Sequence, residues 1–150
     1  QVGCVIVKDN TIIGIGYNGM PSGWENNCED IDWDPGAGGW LSPEDFESKY
    51  PYEMWNEEAG RIVSYGLKTK PEVLHAEANC LMKLAKSTLS GDGATLFQTH
   101  APCIDCAKMI YQSGVTHVYY LHDYRCQSGP EFLVKCVVYV KKIDKKDLTF

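Results

Sequence analysis

The sequence predicts an α/β layered fold with a partly parallel sheet, built as one domain over residues 1–150. Apolar runs rich in β-branched residues alternate with segments whose apolar residues recur every three to four positions, the spacing of a helix. The resulting order is β-β-α-β-α-β-β, and strands joined by helical crossovers run parallel within a sheet. A chain of 150 residues with 44% hydrophobic content can bury one ordinary core.

A hairpin is expected at the beginning of the chain. Residues 2–8 and 11–17 are strand-like runs, and Asp9 and Asn10 between them form a short turn signal. The first run begins directly after Gln1, so we expect the natural protein to have a further N-terminal segment.

Regularity weakens after Asn18, and residues 24–74 are interpreted as an insertion containing a long loop. Glycine and proline crowd this part of the chain at Pro21, Gly23, Pro35, Gly36, Gly38 and Gly39. Ser42 and Pro43 predict the capped start of a short helix. Residues 54–65 predict a second short helix.

The remainder of the chain alternates clearly between helix and strand. The pattern predicts helices over 75–89 and 103–113, and strands over 94–99, 115–121 and 133–140. The linking segment over 122–132 leaves room for more helix. Gly114 is a natural stop for the second of these helices.

Charge and cysteine usage limit the possible partners. The net charge of −6 argues against a nucleic-acid polymer, because phosphate backbones are held by basic surfaces. The chain has no apolar run of ~18 residues for a membrane span and no secretory segment. Seven cysteines cannot all join one disulfide framework. We therefore expect a cytoplasmic protein with reduced thiols and no membrane partner.

The residues most informative about chemistry are His75, Glu77, Cys103 and Cys106. They form the pattern H-x-E…P-C-x-x-C, the signature of zinc deaminases. Zinc favours imidazole and thiolate in a tetrahedral shell, and catalytic sites combine three protein ligands with one water. His75, Cys103 and Cys106 supply three ligands, and the two cysteines share one helix face.

Glu77 is predicted to be the catalytic residue. It lies two positions beyond His75 and points in another direction, which suits a proton shuttle better than a ligand. Zinc lowers the pKa of a bound water from ~15.7 toward ~7. Glu77 would carry a proton from that water to the N3 of a cytosine ring and then to the leaving amine.

Parts of the motif have other interpretations. Taken alone, a Cys-x-x-Cys pair also suits a closed structural zinc site, a redox pair or core packing. A lone histidine at a helix start is often a cap or a packed side chain.

For His100, His117 and His122 we expect ordinary surface or loop roles, because none has a partner at ligand spacing. For Cys80 we expect core packing.

Further segments resemble the deoxycytidylate (dCMP) deaminases of the cytidine-deaminase superfamily. Residues 2–7 are similar to the first strand of that family, and residues 14–23 to the segment after its second strand. Residues 49–52, 75–82 and 101–114 extend the resemblance. It implies a cytidine-deaminase-like αβα sandwich around a five-stranded mixed sheet. It also implies hydrolytic deamination of dCMP to dUMP and ammonia, which supplies dUMP for dTMP synthesis.

The resemblance assigns substrate contacts to five residues. Asn18 would hold the sugar hydroxyl, and the backbone amide of Ala76 would meet the pyrimidine carbonyl. Thr99 and Ala101 would help to bind the substrate, with backbone groups of Ala101 beside the pyrimidine amine. Tyr124 would lie near the nucleotide.

Regulation and assembly are also implied by the resemblance. Many members are allosteric hexamers, activated by dCTP and inhibited by dTTP, with Mg²⁺ bridging the effector phosphates. We expect effector contacts in the loop of Gly19, Met20, Pro21 and Gly23, although a plain tight turn is the alternative there. The same reasoning predicts a homo-oligomer, with the hexamer as the family's common form.

Two alternatives to a dCMP deaminase remain open. One is another superfamily member that acts on free cytidine, guanine or a base in RNA. The acidic charge disfavours RNA, and the segment over 16–23 disfavours the nucleoside enzymes. The other is a zinc-stabilised sensor that binds dCTP or dTTP without turnover, which would have no need of Glu77.

Overall fold

The computed structural model describes residues 2–34, 41–144 and 146, so Pro35, Gly36, Gly38 and Gly39 lie outside the described residues. The chain divides into two compact units, one formed by residues 1–21 and 74–150 and the other by Ser22–Val73. The elements in chain order are β1 (Gly3–Lys8), β2 (Thr11–Tyr17), β3 (Glu29–Trp33), α1 (Pro43–Lys49), β4 (Tyr52–Asn56), β5 (Arg61–Thr69), α2 (Ala76–Ala85), β6 (Thr95–His100), α3 (Ile104–Gln112), β7 (His117–His122), α4 (Ser128–Lys135) and β8 (Tyr139–Lys142). That the whole chain acts as one domain stays a prediction.

A five-stranded mixed sheet is the framework of the first unit, with the order β2-β1-β6-β7-β8. Strand β1 pairs antiparallel with β2 and β6, whereas β6, β7 and β8 run parallel. The first hairpin turns at Asp9 and Asn10, whose φ angles of 49° and 58° suit a two-residue turn that follows the strand twist. The predicted hairpin and the predicted five-stranded mixed sheet with helices are confirmed.

The core of the first unit lies between this sheet and the helices α2, α3 and α4. The sheet and its flanks contribute Cys4, Ile6, Ala94, Leu96, Val115, Val118 and Val138, and the helices contribute Ala76, Cys80, Leu81, Leu84, Ala107, Ile110 and Leu133. Burying one large aliphatic side chain contributes about 1.5–3 kcal/mol relative to exposure. This shared core therefore holds α2 and α3 firmly on one face of the sheet. The opposite face is more open, and Ile15 and Phe97 are exposed there.

The segment after β7 differs from the sequence prediction. The strand predicted over 133–140 is wrong in its first part, because residues up to Lys135 belong to α4 and β8 begins only at Tyr139. Leu133 is fully buried on α4, so its packing on the core outweighs the strand propensity of the apolar run. The helix predicted over 75–89 also ends early, at Ala85.

The second unit contains a three-stranded antiparallel sheet with the order β3-β5-β4. The helix predicted over 54–65 is wrong, because this stretch is divided between β4, a turn and β5. Tyr65 on β5 lies 5.7 Å from Trp33 and 5.4 Å from Tyr52 between ring centroids. Such cross-strand aromatic pairs stabilise a sheet and outweigh the weak helical spacing.

The predicted start of α1 is confirmed. Ser42 is the N-cap, and its hydroxyl oxygen accepts a hydrogen bond from the Asp45 backbone N–H at 3.1 Å. Pro43 occupies the first helical position, where its missing N–H costs nothing.

Gly19 and Leu74 form a short antiparallel bridge, which we call the backbone clasp. The Gly19 N–H donates to the Leu74 carbonyl at 3.2 Å, and the Leu74 N–H donates to the Gly19 carbonyl at 2.9 Å. Both residues belong to the first unit and flank the second unit in sequence. The chain therefore leaves the first unit and returns to it at one point.

Among the described helices, none combines the length and the apolar character that crossing a membrane requires.

Candidate metal centre and active site

Two helix starts bring the predicted metal ligands together. His75 is the N-cap of α2, Cys103 is the N-cap of α3, and Cys106 lies in the first turn of α3. The Nδ1 of His75 lies 3.5 Å from the Sγ of Cys103 and 3.4 Å from the Sγ of Cys106. The three ligand atoms lie within 4.8 Å of one another. Within the described part of the chain, this is the group of side chains that could hold a metal ion.

The donor set and its spacing suit zinc. With Zn–N near 2.0–2.1 Å, Zn–S near 2.3 Å and tetrahedral angles, a ligand nitrogen and a ligand sulfur stand about 3.5 Å apart. The separations between His75 and the two sulfurs match that value. The Cys106 backbone N–H also donates to the Sγ of Cys103 at 3.4 Å, which orients this sulfur at the start of the helix.

Glu77 lies in the first turn of α2 and is only 4% exposed. Burial is the main cause that raises the pKa of Glu77 above its ordinary value, and the neighbouring His75 opposes this effect. Burial likewise raises the pKa of the Cys106 thiol, and the nearby Glu77 carboxylate raises it further. A buried carboxyl group with a raised pKa beside potential metal ligands is an arrangement suited to proton transfer.

Two close backbone approaches fix the helix starts. A Cβ on Gly16 of β2 would lie 2.1 Å from the carbonyl oxygen of Ala76, the first residue of α2. A Cβ on Gly129 of α4 would lie 2.0 Å from the carbonyl oxygen of Pro102, which precedes Cys103. Because glycine has no Cβ, it alone allows both contacts. The positions of the ligand-bearing segments therefore depend on these two glycines.

Asn18 and Ala76, two predicted substrate-binding residues, are in direct contact. The Oδ1 of Asn18 accepts a hydrogen bond from the Ala76 N–H at 2.8 Å. This bond holds the segment after β2 against the start of α2. The Ala76 amide is therefore already engaged by Asn18, and its contact with a pyrimidine stays a prediction.

The other predicted substrate-binding residues lie at the carboxyl ends of β6 and β7. The Oγ1 of Thr99 accepts a hydrogen bond from the Gly3 N–H at 3.1 Å. The Ala101 N–H donates to the His122 carbonyl oxygen at 2.8 Å. Tyr124 is 36% exposed, and the Arg125 guanidinium lies 6.0 Å from the centre of its ring. Their roles toward a substrate stay predictions.

The residues predicted to bind an effector are divided between the two units. Gly19 belongs to the backbone clasp, and Met20 and Pro21 follow it in the first unit. Gly23 lies in the second unit and has a φ of 90°, a conformation that favours glycine. This backbone conformation alone explains why position 23 is a glycine. Binding of an effector by this loop stays a prediction.

The sequence analysis expected ordinary surface or loop roles for His100 and His122, and it did not consider Gln98. His100 and His122 are neighbours with ring centroids 5.2 Å apart, and Gln98 is buried on the same strand as His100. Only the register of β6 with β7 places His100 opposite His122, and register is not visible in the sequence. The sequence offered one sign that the two histidines are neighbours, because each directly follows a predicted strand.

The mixed sheet and the His-Cys-Cys cluster at two helix starts together define a class, the zinc-binding deaminases. Comparison with protein families supports this class. Residues 1–122 match the family described as "Cytidine and deoxycytidylate deaminase zinc-binding region". The match covers most of the chain, and the chain therefore belongs to this family of hydrolytic deaminases.

Within this family, the chain is similar to deoxycytidylate deaminases. The deoxycytidylate deaminase of enterobacteria phage T4 is 33% identical over 138 residues, which are 83% of this chain and 68% of the phage protein. The human deoxycytidylate deaminase is 33% identical over 124 residues, which are 82% of this chain and 53% of the human protein. The resemblance to dCMP deaminases is confirmed, and the match spans about two thirds of the phage protein and about half of the human protein.

A solved structure of a dCMP deaminase is also similar to this chain. The dCMP deaminase from the cyanophage S-TIM5, crystallised with dCMP and dUMP, superposes with a TM-score of 0.67 at 38% sequence identity. The match covers 95% of this chain and 81% of the cyanophage chain. The predicted cytidine-deaminase-like fold is confirmed.

Proposed function

We propose that this protein catalyses the hydrolytic deamination of dCMP to dUMP and ammonia, with one zinc ion per active site. The observation that carries the proposal is the set of three ligand atoms from His75, Cys103 and Cys106, spaced as zinc requires, next to the buried Glu77. Similarity to three dCMP deaminases supports dCMP as the substrate.

Zinc and Glu77 have separate tasks in the proposed reaction. Zinc held by His75, Cys103 and Cys106 would lower the pKa of a water molecule toward ~7. Glu77 would take one proton from this water and pass it to the ring N3, and it would then take the second proton of the same water and pass it to the departing amine. One carboxylate can act as base and then as acid, because the proton that it receives is the one that it returns.

The remaining site residues would orient the nucleotide. We assign Asn18 to the sugar hydroxyl, Ala76 and Ala101 to polar atoms of the pyrimidine, and Thr99 and Tyr124 to the surrounding pocket. The Asn18 side chain is held by the Ala76 N–H, so it is already ordered at the start of α2. A preorganised polar group loses little entropy when a substrate binds.

Regulation and assembly belong to the same proposal. Resemblance to the family supports activation by dCTP, inhibition by dTTP, Mg²⁺ bound with the effector phosphates, and a homo-oligomer in the cytoplasm that supplies dUMP for dTMP synthesis. Effector contacts are assigned to Gly19, Met20, Pro21 and Gly23. Rates measured with dCTP or dTTP in the presence and absence of Mg²⁺, together with light scattering, test these points.

Ammonia release from dCMP, deoxycytidine and CMP, measured side by side, tests the proposed reaction. We expect turnover of dCMP and much slower turnover of the other two. Turnover of deoxycytidine in preference to dCMP would contradict the proposed substrate and leave the zinc chemistry intact. Zinc binding and stabilisation by dCTP without any ammonia release would instead favour a nucleotide sensor.

A further inference from the structure

Strand β3 forms one edge of the three-stranded sheet in the second unit. It pairs antiparallel with β5 from Glu29 to Trp33, and within the described residues no strand pairs with its other side. A strand in this position presents a row of backbone N–H and C=O groups without ladder partners. We call the side of residues 29–33 that faces away from β5 the β3 edge.

Hydrogen bonds next to this strand pair show which backbone groups point to the β3 edge. The Asp34 N–H donates to the Ser64 carbonyl oxygen at 3.0 Å, and the Lys70 N–H donates to the Cys28 carbonyl oxygen at 3.0 Å. Hydrogen-bonded pairs alternate along an antiparallel ladder, so the even-numbered residues of β3 bond to β5. The backbone groups of the odd-numbered residues, including Ile31, therefore point outward.

Ile31 and Trp33 offer these outward groups to a further strand. The Glu29 N–H already donates to the Oδ1 of Asn27 at 3.4 Å. For Ile31 and Trp33, the part of the chain that the structure describes contains no hydrogen bond to the outward groups. An extended peptide can add to such an edge, where backbone hydrogen bonds supply affinity and alternate side chains supply specificity.

Charge on one side of the β3 edge favours a basic peptide. Side chains alternate along a strand, so Asp30 and Asp32 lie on the same side of the sheet. Lys70 forms an ion pair with Asp30 at 3.5 Å. Over residues 22–73, however, acidic side chains outnumber basic ones by three to one. A strand that brings lysine or arginine to this side therefore meets an excess of negative charge.

The other side of the β3 edge is apolar. Ile31 lies opposite Leu67 in the register, and these side chains are 45% and 47% exposed. Trp33 lies opposite Tyr65, with ring centroids 5.7 Å apart. A strand added here would place every second side chain beside these apolar residues and the others beside the aspartates. The edge therefore suits a segment in which basic and apolar residues alternate.

A second copy of this chain does not suit the β3 edge. Two β3 strands paired antiparallel through their outer edges would bring Asp30 and Asp32 of one copy opposite the same residues of the other. Like charges directly opposite each other destabilise a strand pair. The carboxylates thus oppose self-pairing and leave a basic partner as the suitable one.

We propose that the β3 edge binds an extended basic segment of another polypeptide, which joins the sheet as a fourth strand. The backbone groups of Ile31 and Trp33 bond to the backbone of this segment, and its basic side chains lie beside Asp30 and Asp32. The docking site lies within the second unit and does not depend on the proposed deamination. It gives the protein a binding function in addition to its enzymatic one.

Binding of a defined peptide to the full chain tests the site. The probe is a fluorescent heptapeptide in which lysine and valine alternate, and fluorescence anisotropy measures its affinity. We expect saturable binding that weakens as salt is added. A peptide with the same lysines and valines in two separate blocks should bind at least about 10-fold more weakly, because it cannot place all its lysines on one side of a strand.

Two variants separate the backbone contribution from the charge. Ile31→Pro removes an outward N–H and leaves the ladder with β5 intact, since proline is tolerated where the N–H of an edge strand faces solvent. Asp32→Lys brings like charges together across the contact. Each should lower the affinity for the alternating peptide by about 10-fold or more. Melting temperatures identify a variant that is misfolded.

Matched controls accompany both variants. Ile31→Val keeps the N–H and an apolar side chain. Glu57→Lys makes the same change of charge in the turn between β4 and β5, away from the β3 edge. Both controls should bind the alternating peptide as the wild type does.

Amide hydrogen exchange in the wild-type chain provides a readout that does not depend on variants. The alternating peptide should slow exchange at Ile31 and Trp33. Equal affinity for the alternating and block peptides, full affinity in Ile31→Pro, or unchanged exchange at these two amides would each overturn the proposal. A wild-type dimer in sedimentation that Ile31→Pro abolishes would assign the edge to a second copy of the chain and would also overturn it.

Discussion

Glu77 and Gln98 are both buried polar side chains, but they differ in their surroundings. Glu77 lies beside His75 and Cys106, which interact with its carboxylate. Gln98 lacks a hydrogen-bond partner within the described residues. Burying a polar group costs free energy unless the group is hydrogen-bonded or paired. The two residues therefore give different expectations for substitution.

Substitution of Glu77 should separate metal binding from catalysis. Glu77→Gln keeps the size of the side chain and removes its ability to accept and return a proton. We expect normal zinc content and a loss of ammonia release of about 100- to 10,000-fold, the usual contribution of acid–base catalysis. Metal analysis and an ammonia assay check this, with the exposed Glu131→Gln as a control. Near-normal activity of Glu77→Gln would exclude Glu77 as the shuttle.

Substitution of Gln98 should increase stability. Gln98→Met has a similar volume and removes an amide without partners, so the free energy of unfolding should rise by about 1 kcal/mol or more. Urea denaturation of the metal-loaded protein measures the change. If Gln98 contributes to the site, the same variant should lose activity while it gains stability. A less stable variant would mean that the amide is satisfied by a bound solvent molecule.

At the level of secondary structure, the position of α2 depends on its contact with β2. Gly16→Ala would place a Cβ 2.1 Å from the Ala76 carbonyl oxygen, and α2 would have to move away from the sheet. Overpacking of this kind costs about 1–3 kcal/mol, and the shift should also weaken zinc binding through His75. Denaturation and zinc affinity measure both effects. Gly3→Ala is the control, since its Cβ would meet its nearest neighbour at 3.9 Å. Equal losses of stability and of zinc affinity in the two variants would contradict the expectation.

The sequence was most informative where local signals and tertiary packing agree. The turn at Asp9 and Asn10 and the capped start at Ser42 depend on residues close in sequence, and the structure confirms both. The candidate metal ligands could be identified because their spacing along the chain is typical of the chemistry. Their approach to within 4.8 Å depends on how α2 and α3 pack on the sheet, and spacing along the chain does not fix that packing.

The errors arose where distant contacts decide the local structure. Residues 54–65 were expected to be helical, but they pair across strands with residues that lie elsewhere in the sequence. The run over 133–140 is rich in β-branched residues, yet α4 continues to Lys135 because Leu133 packs in the core. Val137 then reverses the chain at a φ of 61°, a conformation that a β-branched residue rarely adopts and that no propensity predicts.

At the level of the whole molecule, the proposed zinc ion would connect the starts of α2 and α3. These helices pack together in the core, and a metal bound by both would add a further link between their starts. Metal binding to the native state stabilises it by mass action. The first unit should therefore be more stable with zinc than without it.

Removal of zinc should lower the melting temperature. If bound zinc contributes about 3 kcal/mol, chelation should lower the melting temperature by roughly 6–12 °C for a chain of this size. Calorimetry before and after chelation measures the shift, and added zinc should reverse it whereas calcium should not. Cys103→Ser should melt at the lower temperature and respond little to the chelator. An equal response in the wild type and in Cys103→Ser would remove Cys103 from the ligand set.

The backbone clasp between Gly19 and Leu74 has a consequence for how the chain can diverge. Its two hydrogen bonds close the connection that runs through residues 22–73. The entropy lost in closing a connection grows only with the logarithm of its length, by about 0.6 kcal/mol for each doubling. Insertions and deletions between these two points therefore cost the first unit little. We expect length differences among related chains to accumulate there, while Asn18 and His75, on either side of the clasp, keep their places.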